Sequence, residues 1–262
     1  MTRGLWLCQQ CRRQVSVTAG TIYQDSRLPL TLWFRAMWYV TSQKNGASAL
    51  GLQRVLGMGS YQTAWAWLHK LRRAMVRPGR DRLSGVVDVD ESYVGGPKSG
   101  KRGRGAAGKA LVFVAAQQDG SRIGRIRLLP IADASTESLE AAMHWAVEPG
   151  STVCSDGWRG YGGLEEAGYK HQVVRSGGEV GDNLLPRCHR VASLLKRWLL
   201  GTHQGAVSHR HLAYYLDEFT FRFNRRTSQS RGKLFYRLIE QAVQIDPHPY
   251  AKLIRPQSLG VG

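Results

Sequence analysis

The spacing of apolar and polar positions changes once along the chain, from a helical period to a strand period. Between residues 30 and 77 the apolar residues recur at helical intervals. LTLWFRAMWYVTSQ offers Leu32, Phe34, Met37, Trp38 and Val40 as a broad apolar face. Lys44-Asn45-Gly46 is a turn signal, and SALGLQRVLG a short helix broken at Gly57. Ser60 can cap YQTAWAWLHKLRRAM, whose cationic end suits the helix dipole. From Gly85 the period becomes two. GVVDVDESYV predicts one strand, and KALVFVAAQQ and SRIGRIRLLPI two more, joined by a hairpin turn at Asp119-Gly120. Ser135 is placed to cap TESLEAAMHWAVE, with Glu137 in the first turn. STVCSD and YKHQVV are further strands, separated by a turn and short helix around GYGGLEEAG. The polar loop SGGEVGDN leads into three helical segments, HRVASLLKRWLLG, SHRHLAYYLDEFTFRFNRR and KLFYRLIEQAV.

This order predicts an α/β fold: a mixed five-stranded sheet with flanking helices, as in ribonuclease H-like folds, preceded by a small helical domain. In such a sheet the first and fourth strands are neighbours, which would set Asp90 beside Asp156. The expected divisions are residues 1–20, a short polar segment; 21–80, a helical domain; 84–245, the sheet domain with its three closing helices; and 246–262, a tail. Short helix, glycine-containing turn and basic helix over residues 49–75 resemble a helix-turn-helix, whose bland counterpart is an ordinary three-helix packing unit.

Charge narrows the partner. The chain has 37 Lys+Arg against 19 Asp+Glu, a formal net charge of +18. The cations gather in KLRRAMVRPGRDR, KSGKRGRGAAGK and FRFNRRTSQSRGK, which favours nucleic acid over a merely basic surface. No basic amphipathic helix stands apart from the fold, and no apolar run approaches the roughly 20 residues of a membrane span. MTRGLWLCQQC lacks a signal-peptide core, and four cysteines with one CxxC suggest a reducing compartment, hence a cytoplasmic protein.

Candidate chemistry sits at strand ends. In VDVDES, Asp88 and Asp90 share one face and Glu91 takes the other; spacing does not choose among them, and an exposed rim of acids is the bland alternative. Asp156, in SDGWRGY, is either a ligand or the start of an Asx turn. His189, Ser193 and Lys196 fall on one helical stripe, beside an apolar stripe of Val191, Leu194, Leu195 and Trp198. Two carboxylates and an imidazole around a metal pair, with a cation nearby, would suit phosphodiester chemistry.

Three stretches, VDESYVGGPKSGKRGRGAAGKALV, CSDGWRGY and HRVASLLKRWLLGTHQGAVSHRHLAYYLDEFTFRFNRR, resemble bacterial insertion-sequence transposases of the ISXO-two-like branch, which have a retroviral-integrase-like core. The resemblance spans roughly residues 15 to 245. It implies catalytic roles for Asp90, Asp156, His189 and Lys196, with the first three as metal ligands. His189 takes the place of a usual third carboxylate, either as a ligand or as a proton shuttle to the leaving group. The implied reaction is cleavage at element ends, followed by attack of the freed 3′-hydroxyl on target DNA. The expected ion is Mg²⁺, with Mn²⁺ as an alternative, since imidazole favours later metals. Expected DNA contacts are Lys98, Lys101, Arg102, Arg104 and Lys109 around a Gly/Lys/Arg loop, and Ser193, Lys196 and Arg197 on the helix. The expected partner is double-stranded DNA, at element ends and target, bound by a homodimer or higher oligomer near the nucleoid. Relatives carry a zinc ribbon with two CxxC pairs; Cys8-Gln9-Gln10-Cys11 supplies only half of the four ligands a structural zinc needs, so the chain reads as truncated and zinc is not expected. Two other readings compete: a truncated, inactive DNA-binding relative, and a ribonuclease H-like nuclease for branched or hybrid substrates.

Overall fold

The computed structural model describes residues 5–77, 79–95, 109–175, 184–205 and 207–254. In chain order the elements are β1 (Leu5–Leu7), β2 (Gln14–Ser16), α1 (Leu30–Ser42), α2 (Ala49–Leu56), α3 (Tyr61–Ala74), β3 (Val86–Val94), β4 (Ala110–Asp119), β5 (Arg122–Ile131), α4 (Thr136–Ala146), β6 (Thr152–Ser155), β7 (Lys170–Val173), α5 (Pro186–His203), α6 (Leu212–Phe223), α7 (Arg231–Ala242) and α8 (Tyr250–Ile254). They form two compact units, Met1–Gly79 with Ser228–Pro256, and a second built on Arg80–Thr227.

In the first unit β1 and β2 make a small antiparallel hairpin, and α1 to α3 are joined by α7 and α8. The expected Ser60 cap forms, its hydroxyl accepting from the Thr63 N–H at 3.3 Å, and Ser48, not foreseen, caps α2 by accepting from the Gly51 N–H at 3.1 Å. The buried face of α1 is Trp33, Ala36, Met37, Val40 and Thr41, so Met37 and Val40 of the expected face lie in the core and Trp33 and Ala36 replace its other members. Phe34 and Trp38 stay partly exposed, and Trp38 meets Phe235 of α7 edge-on, with centroids 5.6 Å apart. The centre of the unit is Trp33 stacked on Trp67 at 3.7 Å. The sequence expectation had assigned α7 to the sheet domain. It packs instead on α1 and α3, because its apolar stripe, Leu234 and Leu238, is buried in this unit.

The second unit is a five-stranded mixed sheet in the order β5-β4-β3-β6-β7. β4 is antiparallel to both β3 and β5, while β6 runs parallel to β3 and β7 parallel to β6. This is the ribonuclease H-like arrangement, with the first and fourth strands of the unit side by side. The hairpin pairs Asp119 with Arg122, so the two turn residues are Gly120-Ser121, one place later than expected. Gly120 has φ 56, the sign a II′ turn needs at its first position.

The sheet is covered on both faces. One core layer holds Val112, Val114, Ile126 and Leu128 against Cys188, Val191 and Leu195 of α5 and Leu216 and Phe219 of α6. The other holds Val87, Val89, Phe113 and Val153 against Leu139 and Met143 of α4 and against Tyr161. Each strand therefore sends alternate residues to opposite layers. The β5 edge is closed by a side chain: Asn224 Oδ1 accepts from the Ile126 N–H at 2.7 Å and Asn224 Nδ2 donates to the Ile126 carbonyl at 3.1 Å, in the manner of a neighbouring strand.

Candidate active site

The three acids of β3, which spacing left equivalent, have different surroundings. Asp88 is only 2% exposed, and the Arg187 Nη1 donates to both of its oxygens at 2.8 Å. Glu91 points into the opposite layer and accepts from the hydroxyl of buried Tyr161. Burial first, then the Glu91 and Asp90 charges, raises the Tyr161 phenol well above its ordinary range and keeps it a donor. Asp90 is 18% exposed, and its Oδ2 lies 3.3 Å from His189 Nε2. Its Oδ1 accepts from the Glu91 N–H at 2.8 Å. Asp90 thus combines partial solvent access with an imidazole partner on the α5 side.

Asp156 follows β6. The paired residues of β3 and β6 run from Val86↔Thr152 to Asp88↔Cys154, so Asp90 and Asp156 each lie two residues beyond the last pair. Asp156 also starts an Asx turn, accepting from the Trp158 N–H at 3.0 Å. The Asx-turn reading of this residue is therefore met. Gly157 has φ 75, and a Cβ there would meet Val173 Cγ1 at 2.6 Å, so only glycine fits after the acid.

α5 begins earlier than expected, with Pro186 in its first turn. Cys188, Val191, Leu195 and Leu199 face the sheet, which leaves His189, Ser193, Lys196 and Arg197 on the exposed side. His189 is 50% exposed. The Lys196 ammonium has its pKa lowered by desolvation and then by the positive charge of Lys109, while Asp90 pulls the other way. Lys196 therefore sits within electrostatic reach of both Lys109 and Asp90. Lys98, Lys101, Arg102 and Arg104 lie outside the described residues.

Among the described residues, no three His, Cys, Asp or Glu side chains converge closely enough to form a ready-made metal site. The donor chemistry still suits a divalent ion in part: Asp90 and His189 are in contact, and Asp156 directly follows the adjacent strand. The expected set is met as a pair plus a neighbour, not as a closed triad. Cys154 and Cys188 are buried, and desolvation raises both thiols, so they are core residues. Cys8 and Cys11 are exposed beside the β1–β2 turn.

Much of the clustered charge serves the fold. Lys70 lies over the Trp33 ring, Arg72 is buried, and Arg80 covers the Trp145 ring. Arg222 pairs with buried Glu218 at 2.7 Å, and Arg226 donates to the carbonyls of Gly124 and Phe223. α3 is buried over most of its length, leaving Tyr61, Gln62 and Arg73 exposed. Sequence reasoning missed Arg187 and Tyr161. A basic residue two places before the candidate histidine was the visible trace of the first; nothing local marked the second. No helix of the described residues is long and apolar enough to cross a membrane.

Sheet order and acid placement define an α/β ribonuclease H-like domain with a carboxylate-imidazole contact between the centre of β3 and the first turn of α5, and a second acid just past the adjacent parallel strand. Residues 82–224 match the family described as ISXO2-like transposase domain, more than half of the chain. An uncharacterized protein in transposable element ISH50 of Halobacterium salinarum is 31% identical over 236 residues, which are 83% of this chain and 77% of that relative. The chain belongs to the ISXO2-like transposase family. A chain in the crystal structure of the Mos1 strand transfer complex is similar at 12% identity over 80% of this chain and 78% of that one; its TM-score of 0.28 is too low to carry an argument.

Proposed function

We propose that this transposase cleaves the ends of its insertion sequence and joins the resulting 3′-hydroxyl to target DNA, with Asp90, Asp156 and His189 as the acid-imidazole centre. The carrying observation is the 3.3 Å contact between His189 and Asp90, with Asp156 directly after the adjoining strand. These residues would hold Mg²⁺, or Mn²⁺ where the imidazole shifts preference. Such ions, when bound, supply Lewis-acid activation of the attacking oxygen and neutralise charge at the leaving one. The chain itself does the rest. Asp90 and Asp156 would hold such ions, and their carboxylates would fix where the scissile phosphate docks. His189 either completes that set or moves a proton at Nε2 to the departing 3′ oxygen. Lys196, which feels the charges of both Asp90 and Lys109, would draw in a DNA phosphate. Ser193 and Arg197 extend that line along α5.

Double-stranded DNA is the partner on this reading, engaged by a dimer or larger assembly at the nucleoid, with the helical unit contributing to end recognition. The test is incubation of the purified full chain with a labelled element-end duplex and Mg²⁺ or Mn²⁺. Cleavage at the end followed by appearance of joined product is expected. Specific duplex binding with no cleavage under either ion would favour the inactive DNA-binding reading.

A further inference from the structure

We propose that the Asp88–Arg187 ion pair is a positioning device that sets the first turn of α5 so that His189 meets Asp90; the catalytic part of this rests on the function proposed above. Three contacts hold that turn on the sheet. Arg187 reaches both oxygens of Asp88 at 2.8 Å, Cys188 Sγ donates to the Val114 carbonyl at 3.5 Å, and His189 Nε2 meets Asp90 Oδ2 at 3.3 Å. Consecutive helical residues diverge by about 100°. Cys188 is fully buried and points at β4, so Arg187 and His189 flank it on either side. Val114 is the β4 partner of Asp90, and Asp88 shares a β3 face with Asp90. The three contacts therefore surround the Asp90 position and define both the rotation and the axial setting of α5.

The usual means of fixing a helix start is missing. The N-cap is Leu185, with no side-chain cap hydrogen bond, and the first turn has no acidic residue. The ion pair takes over that task from the sheet side. It also occupies both Asp88 oxygens, which keeps this buried carboxylate from acting as a rival ligand two residues from Asp90. Arg187 touches no reacting atom on this account. It acts through His189.

The experiment uses the full chain with Arg187→Gln and Arg187→Lys. The first readout is amide exchange over residues 189–192 in protein free of DNA and divalent ions. Exchange should quicken there in Arg187→Gln and stay unchanged in β4 and β5. The second is cleavage of an element-end duplex: kcat should fall about 10- to 100-fold, the scale of a misplaced catalytic group, with KM and metal-free duplex affinity within about twofold of wild type. Arg187→Lys, which keeps a cation at Asp88, should recover part of kcat. Wild-type exchange at 189–192, uniform loss of protection across the sheet, or weakened duplex binding with unchanged kcat would each overturn the proposal. If Arg187→Gln does not fold, Arg187→Lys decides: an intermediate fall in kcat with local exchange supports it, and wild-type values overturn it. If the wild-type chain cleaves nothing, the proposed function fails, and local exchange alone judges the ion pair.

Discussion

His189 Nε2 stands 3.3 Å from Asp90 Oδ2, which ties the start of α5 to the centre of β3. The imidazole is half exposed and the carboxylate largely covered, so the contact opens to solvent from the α5 side. Lys196, two turns further along α5, lies close enough to feel the Asp90 charge.

Asp90→Asn and Asp156→Asn should each abolish strand cleavage and leave duplex binding within about twofold of wild type, because each removes a charge the reaction needs while keeping the side-chain shape. Gel shift and end-cleavage assays on the same preparations check this. Wild-type cleavage by either variant would remove that residue from the mechanism.

His189→Ala should lose most activity, whereas His189→Glu should retain some and move the preference from Mn²⁺ towards Mg²⁺, since oxygen ligands suit the harder ion. Cleavage rate against concentration of each ion, for all three proteins, is the measurement. An alanine variant with unaltered rate and ion dependence would leave the histidine with a packing role only.

Tyr161→Phe should destabilise the sheet unit by about 1–3 kcal/mol, the cost of depriving a partly buried carboxylate of a charge-assisted donor. Tyr161 lies five residues beyond Asp156 and its hydroxyl meets Glu91, so the same variant should lower cleavage by loosening the loop that carries Asp156. Urea unfolding followed by the cleavage assay separates the two effects. Unchanged stability would show that Glu91 is adequately held by its other contacts.

Asn224→Ala should cost about 1–3 kcal/mol, because it strips two hydrogen bonds from the Ile126 backbone at the β5 edge. It should also raise the tendency to aggregate, as the edge becomes available for pairing. Light scattering and denaturant midpoints test both; an unaltered midpoint would mean that water replaces the amide at no cost.

Acid should weaken the helical unit through His248. Burial, then the positive charges of Arg73, Lys252 and Lys70, lowers its pKa from 6.5 to about 4. Unfolded chain binds a proton near the ordinary value and the folded unit resists until about pH 4, so the contribution is whole above pH 6.5 and is lost as pH falls towards 4. Thermal unfolding from pH 7.5 to 4.5 should show a smaller fall in His248→Gln than in wild type. Equal slopes would assign the acid sensitivity to other groups.

Local rules were enough for much of this molecule. Ser60 and Ser135 cap helices through their hydroxyls, and period-two alternation sends Asp88 and Asp90 to one face of β3 and Glu91 to the other. These outcomes depend on bond geometry within a few residues, so they can be read from the chain. The five-strand order also followed from the succession of elements, because connections of limited length leave few topologies. Sequence motifs selected Asp90, Asp156 and His189 together.

Contacts between distant segments were another matter. Only the folded chain shows that Asp88 is committed to Arg187, that Glu91 is held by Tyr161, and that Asp90 is the acid left facing an imidazole. Only it shows α7 returning to the first helical unit, and Arg222, Arg225 and Arg226 of the third basic cluster spent on a buried glutamate and backbone carbonyls. In each case the deciding quantity is the cost of burying charge or apolar surface without a partner. That cost depends on what lies across the interface, and a one-dimensional pattern does not contain it.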